Sequence, residues 1–163
     1  RDVFDKYGVY DERLIRNQDI ELNKRIVRGG GHIYIVPDTY CVYLARETFK
    51  GVAKNNFGNG KWNILTVYYT KQMKSLSIRH FVPLLFLLSL IVPLVMMLFY
   101  FPAVIISLTS LLLYLISISV ISLSLSLKKK LCFSYLMMTF VVLHLSYGWG
   151  SLNGIISVLK YGK

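Results

Sequence analysis

The hydrophobic pattern of the chain is dominated by one long uncharged run, residues 81–127. At ~1.5 Å per residue this run would form a helix of about 70 Å, whereas the hydrocarbon core of a bilayer is roughly 30 Å thick. Two helices fit where one is too long, and Pro102 predicts the break because the residue before a proline avoids the α region. The pattern predicts a membrane domain over residues 77–163 with about three helices, at 81–100, 103–127 and 131–150.

Small residues recur every seven positions in the second of these helices, at Ala103, Ser110, Ser117 and Ser124. Seven residues is the period of a left-handed helix seam, and small side chains let helices approach closely in lipid. We therefore expect this seam to face another helix. The larger residues expected to lie off it are Leu111, Leu115 and Ile118.

The polar part, residues 1–76, contains one clear amphipathic helix over 17–28. Asn17 suits the N-cap, Leu22 and Ile26 give an apolar stripe, and the three glycines at 29–31 end the helix.

The remaining pattern of the polar part is mixed. Segments 32–37 and 39–44 are rich in β-branched and aromatic residues and predict two short strands. A short helix is expected over 47–55, a Gly/Asn-rich loop over 55–60, and a further helix from Lys61 to about Met73. The fold class predicted is therefore an α/β segment followed by α-helical transmembrane segments.

Charge is distributed unevenly along the chain. The net charge is +11, and all eight acidic residues precede residue 81. Beside a membrane span, this basic character favours anionic lipid headgroups or diphosphate substrates over nucleic acid. Lys128, Lys129 and Lys130 predict a cytoplasmic turn, because positive residues mark cytoplasmic loops. The polar part is expected on the same side, at the cell membrane.

The order of these pieces resembles the acceptor-side half of a family 2 glycosyltransferase with the GT-A fold. The segment that carries the resemblance is YGVYDERLIRNQDIELNKRIVRGGGHIYIVP, in which the turn Gly8–Glu12 precedes a helix opened by Gln18 and Asp19. The loop GNGKW at 58–62 is similar to the family's loop over the donor diphosphate. The sequences RHFVP at 79–83 and HLSYGWG at 144–150 are similar to members that build bacterial exopolysaccharides.

The resemblance implies a role for six residues. Asp19 maps to the general base of inverting members, with Gln18 and Glu21 on the acceptor side. Glu21 also stands four residues before Arg25, which is the spacing of a surface ion pair. Arg46, Lys61 and Trp62 are implied contacts of the donor diphosphate.

The function implied is transfer of a sugar from a nucleotide-sugar donor to a lipid-linked or polysaccharide acceptor in surface polysaccharide biosynthesis. The resemblance also implies Mg²⁺ or Mn²⁺ in the complete enzyme, held by an Asp-x-Asp of a donor half outside this chain, so that this segment alone is inactive. Two alternatives remain: a non-catalytic, membrane-anchored basic binding module, or an inactive glycosyltransferase segment. A transporter or channel ranks last, because the apolar run holds no charge.

Overall fold

The computed structural model describes residues 1–72 and 78–161. Within them every regular element of secondary structure is a helix. Short 3₁₀ turns precede the fourth and fifth α-helices. The six α-helices are α1 (Asp2–Tyr7), α2 (Gln18–Arg28), α3 (Phe49–Thr70), α4 (Val82–Met96), α5 (Val104–Lys129) and α6 (Phe133–Tyr161).

The prediction of an α/β fold is wrong, because neither 32–37 nor 39–44 forms a strand. Both segments are exposed; Tyr34 and Ile35 keep 83% and 93% of their surface accessible. Among the described residues no backbone hydrogen bond links these segments to a neighbour. Strand propensity is expressed only where a partner strand completes the ladder, and a lone two-stranded hairpin is marginal in water.

Helix α2 confirms the amphipathic pattern. It begins at Gln18 after Asn17 and ends before Gly29, and it buries Leu22 and Ile26. The Asn17 side chain does not cap the helix, however; it reaches across to α3 instead.

The predicted Gly/Asn-rich loop at 55–60 is wrong, because α3 runs unbroken from Phe49 to Thr70. The helices expected on either side of the loop are one helix of 22 residues. Met73, expected to end the second of them, lies outside the described residues. Tertiary contacts override the low helix propensity of glycine here, since Gly58 lies against Arg16 and Gly60 lies against Tyr147 and Ser151.

Helices α3 and α6 pack side by side and run in the same direction. A Cβ atom on Gly60 would lie 2.2 Å from the Tyr147 carbonyl oxygen, and one on Gly150 would lie 2.0 Å from the Phe57 carbonyl oxygen. Further along, a Cβ on Gly154 would lie 2.8 Å from the Lys61 carbonyl oxygen. The two backbones approach this closely only because these positions carry no side chain.

Helices α4, α5 and α6 form two antiparallel hairpins. The Ser107 hydroxyl of α5 donates to the Leu90 carbonyl of α4 at 2.8 Å. The Tyr114 hydroxyl of α5 lies 3.1 Å from Nδ1 of His144 on α6.

The predicted seam of α5 is wrong. Ser117 and Ser124 are exposed, and Ile118, expected off the seam, is buried. Ala103 of the predicted seam is buried, and the other buried residues of this segment are Ser107, Ile118 and Ser122. Their spacing of four, eleven and four follows the 3.6-residue period of a straight helix rather than an exact heptad.

One helical segment among the described residues, Phe101–Lys129, is long and apolar enough to cross a membrane. The expectation of several membrane spans is therefore wrong. Helix α4 has 15 residues, which at ~1.5 Å each gives about 22 Å, less than the hydrocarbon core. Helix α6 has the length, but its Gly148–Gly154 stretch contains polar and small residues and packs on α3.

Candidate functional site

The proposed base, Asp19, lies in the first turn of α2, and its side chain is exposed. Among the described residues its carboxylate has no hydrogen-bond or ion-pair partner. The amino-terminal end of a helix favours a negative charge. Asp19 is thus an accessible carboxylate, held by a rigid element and open to an incoming hydroxyl group.

Asp19 shares one face of α2 with Asn23 and Val27, because residues four apart in a helix are neighbours. This face borders a cavity of about 400 Å³, here called the Asn23 cavity. Its lining residues are Asn23, Lys24, Val27, Arg28 and Ile33.

The opposite face of α2 borders a polar cavity of about 390 Å³, here called the guanidinium cavity. Its walls come from the turn after α1, from α2 and from the end of α3. They are formed by Val9, Asp11, Arg13, Glu21, Arg25, Arg28, Tyr69, Thr70 and Gln72. Three guanidinium groups and two carboxylates line it, so an anion fits the site better than a cation.

Two ion pairs organise the guanidinium cavity. Arg13 donates to both carboxylate oxygens of Asp11, at 2.9 and 2.7 Å. These hydrogen bonds from Arg13 lower the pKa of the Asp11 carboxyl below its ordinary value of 3.8. The Arg13 guanidinium also lies 5.6 Å from the centre of the Tyr69 ring, which joins the turn to α3.

The second ion pair joins Glu21 to Arg25 at 2.7 Å, with Glu21 buried. Arg25 also donates to the carbonyls of Tyr7 and Val9, at 2.7 and 2.8 Å. Arg25 therefore fixes the turn after α1, and Glu21, an expected acceptor contact, holds Arg25 in place. Arg25 donates hydrogen bonds to both carboxylate oxygens of Glu21 at the wall of the guanidinium cavity.

Arg28 is the residue common to both cavities. It is exposed, and among the described residues it forms no ion pair or hydrogen bond with a side chain. The sequence pattern did not single it out, because a cation in the last turn of a helix is ordinary. Its place in the walls of both cavities became evident only from the fold.

Polar contacts fix the start of α2 against α3. The Asn17 amide donates to Oδ1 of Asn63 at 2.8 Å, and the Asn63 amide donates to the Tyr147 hydroxyl of α6. The Arg16 guanidinium donates to Oδ1 of Asn59 at 3.0 Å. Gln18, the other residue of the predicted acceptor pair, donates its amide to the Leu14 carbonyl.

Lys61 and Trp62 lie within α3 rather than in a loop. They line a cavity of about 200 Å³ between α3 and α6, here called the Trp62 cavity. Tyr69 borders both this cavity and the guanidinium cavity, so the two are neighbours. Asn63, which follows Trp62, contacts Asn17 at the start of α2.

Arg46 is not brought to this region. Its guanidinium donates to the Tyr43 hydroxyl at 2.5 Å, before α3 begins. From Phe49 to Lys61, α3 rises by about 18 Å at ~1.5 Å per residue. Arg46 and Lys61 therefore lie at different levels of the molecule and cannot hold one diphosphate together.

The residues present do not form a metal site. Within residues 1–72 and 78–161 there is no group of three or more His, Cys, Asp or Glu side chains placed to hold an ion. Asp19 and Glu21 have the spacing of a metal-binding pair, but Glu21 is engaged by Arg25 and the two lie on different faces of α2.

Comparisons with protein-family models, with curated proteins and with solved structures found no match.

Proposed function

We propose that the protein takes part in sugar transfer from a nucleotide-sugar donor to a lipid-linked or polysaccharide acceptor at the membrane surface. The observation that carries the proposal is the exposed carboxylate of Asp19, which lies in the first turn of α2, one turn before Asn23 of the Asn23 cavity, and has no partner among the described residues. The proposal also rests on the sequence resemblance described above, in which Asp19 holds the position of the base.

The chemistry proposed for Asp19 is general-base catalysis. The carboxylate takes the proton of an acceptor hydroxyl as that oxygen forms a bond to the anomeric carbon of the donor sugar. The bond from this carbon to the diphosphate breaks, and the nucleoside diphosphate leaves with the electron pair. The configuration at the anomeric carbon is inverted.

The proposed binding contacts lie around α2 and α3. Arg28 is placed to attract a phosphate group, because its guanidinium lines both cavities beside the helix. Lys61 and Trp62 remain proposed donor contacts, a cation and a flat ring on the wall of the neighbouring Trp62 cavity. Arg46 is left out, because the fold places it before the start of α3.

The membrane location supports the same proposal. A span at Phe101–Lys129 would keep the site beside an acceptor that cannot leave the bilayer, which raises the effective concentration of that acceptor. We propose that Lys128–Lys130 face the cytoplasm, because positive residues mark cytoplasmic loops. The start of α3 is proposed on the same side, because the stacked rings of Phe49 and Tyr135 hold it at that end of the molecule.

A second candidate function is a non-catalytic basic module that binds the membrane. Residues 48–163 contain no acidic residue, which favours attraction to anionic surfaces. The two functions differ in one respect that can be measured, the dependence of sugar incorporation on Asp19.

Replacement of Asp19 by Asn tests the enzyme proposal. In membranes that carry the full-length protein, Asp19→Asn should lower label incorporation from radioactive UDP- and GDP-sugars by roughly 10²-fold or more, the scale of general-base loss. Asp38→Asn, at another exposed carboxylate, is the control and should leave the rate unchanged. Equal rates for wild type and Asp19→Asn, at equal protein content, would remove Asp19 from the mechanism.

A further inference from the structure

Five cationic side chains gather at one end of the molecule, here called the basic end: Arg46, Lys50, Lys128, Lys129 and Lys130. The first two flank the start of α3, and the other three form the turn between α5 and α6. They are far apart in the sequence. The rings of Phe49 and Tyr135 stack with centroids 5.1 Å apart, which brings the start of α3 to the start of α6.

One acidic side chain, Glu47, stands between Arg46 and Lys50, so five cations and one acid leave the basic end with a formal charge of +4. Glu47 is the last acid of the chain, since residues 48–163 contain none. The ion pairs of the described residues lie elsewhere, at Asp11–Arg13 and Glu21–Arg25. All five cations are exposed, so their charge is directed to the surroundings.

The location of the basic end relative to the apolar span indicates which part of a membrane it would contact. The span ends at Lys129, and Lys130 closes α5 in the left-handed conformation with φ 53°. A membrane crossed by this helix would therefore place Lys128–Lys130 at the level of the lipid phosphates. Aromatic rings at the same end, those of Phe49, Phe133 and Tyr135, are typical of this interface.

We propose that the basic end is a binding surface for the headgroups of anionic phospholipids, shared by the start of α3 and the α5–α6 turn. Its ammonium and guanidinium groups contact lipid phosphates on the side of the membrane from which α5 emerges at Lys129. The surface holds the start of α3 at the level of the lipid phosphates, beside the α5–α6 turn. This inference is independent of sugar transfer, because it uses neither Asp19 nor the cavities beside α2.

Lipid selectivity of the inserted protein tests the proposal. The full-length protein is reconstituted into vesicles of phosphatidylcholine that contain spin-labelled phosphatidylglycerol or spin-labelled phosphatidylcholine, and the motionally restricted fraction of each label is measured. The wild-type protein should restrict phosphatidylglycerol several-fold more strongly than phosphatidylcholine. High salt should reduce this preference, because it screens exposed charges. Added inorganic phosphate at the same ionic strength should displace no more lipid than chloride does.

Matched variants locate the surface. Two variants remove lysines from the surface, the double variant Lys129→Gln/Lys130→Gln and the single variant Lys50→Gln. Each lysine removed should lower the preference for phosphatidylglycerol by up to about five-fold. The control is Arg1→Gln/Lys6→Gln, which removes two exposed charges at and before α1 and should keep the wild-type preference. The inference would be overturned by equal restriction of the two lipids, by an unchanged preference in Lys50→Gln, or by an equal loss in the control variant.

Discussion

At the scale of single residues, the glycines of α3 have different roles although they share one helix. A Cβ on Gly60 would collide with the backbone of α6, 2.2 Å from the Tyr147 carbonyl oxygen. A Cβ on Gly51 would meet only the Thr48 hydroxyl at 3.2 Å and the Arg46 side chain at 3.4 Å. Helix propensity alone favours alanine at both positions by about 1 kcal/mol.

We therefore expect opposite outcomes for two identical substitutions. Gly60→Ala should destabilise the protein by about 1–3 kcal/mol, because the α3 and α6 backbones must move apart. Gly51→Ala should be neutral or slightly stabilising. Thermal unfolding of the detergent-solubilised protein, followed by circular dichroism, measures both, and a stable Gly60→Ala would contradict the close packing of α3 on α6.

At the scale of elements, the packing of α5 depends on which of its many serines lie inside. The Ser107 hydroxyl is buried and donates to α4, at the Leu90 carbonyl. Ser122 is also fully buried, but among the described residues its hydroxyl has no hydrogen-bond partner. A buried hydroxyl without a partner costs free energy, whereas a bonded one contributes.

Two alanine substitutions in α5 should therefore differ. Ser107→Ala should lower the free energy of unfolding by about 1 kcal/mol, because the hydrogen bond to α4 is lost. Ser122→Ala should leave it unchanged or raise it. Unfolding in mixed micelles by titration with dodecyl sulfate compares the two, and a larger loss for Ser122→Ala would show that its hydroxyl has a partner.

At the scale of the whole molecule, the chain exposes more surface than a compact monomer of its size. The accessible area is 12150 Å², whereas a compact protein of 18.8 kDa exposes roughly 8,300 Å². The exposed surface includes apolar side chains of α5, such as Leu112 at 58% and Ile116 at 51% exposure. Lipid around α5 would cover this surface, in accord with the length and composition of the Phe101–Lys129 segment.

A charge on the exposed face of α5 should consequently oppose membrane insertion. Ile116→Lys places a charge near the middle of the span, at a cost of about 2.5–3.5 kcal/mol on the insertion scale. Val42→Lys, at an exposed apolar residue of the polar part, serves as the control. The fraction of protein that resists carbonate extraction should fall for Ile116→Lys only; retention equal to wild type would place α5 outside the bilayer.

Local pattern was sufficient where an element depends mainly on its own residues. The period of Leu22 and Ile26, bounded by Asn17 and Gly29, predicted α2, and the absence of charge predicted the apolar segment that contains α5. Both signals are determined by the sequence, because amphipathicity and hydropathy are properties of the side chains themselves. The exposed position of Asp19 at the start of α2 followed from the same pattern.

The tertiary structure decided the features that depend on contacts between distant parts of the chain. Residues 32–44 carry strand propensity, but among the described residues no strand pairs with them, so they stay exposed and form neither helix nor strand. Gly58 and Gly60 suggest a loop by composition, yet both lie within α3, where Gly60 allows close packing on α6 and Gly58 lies against the Arg16 side chain. The cavities at Arg28 and the basic end join residues that are distant in the chain. Such contacts cannot be predicted from residue spacing, because their free energy depends on which surfaces meet.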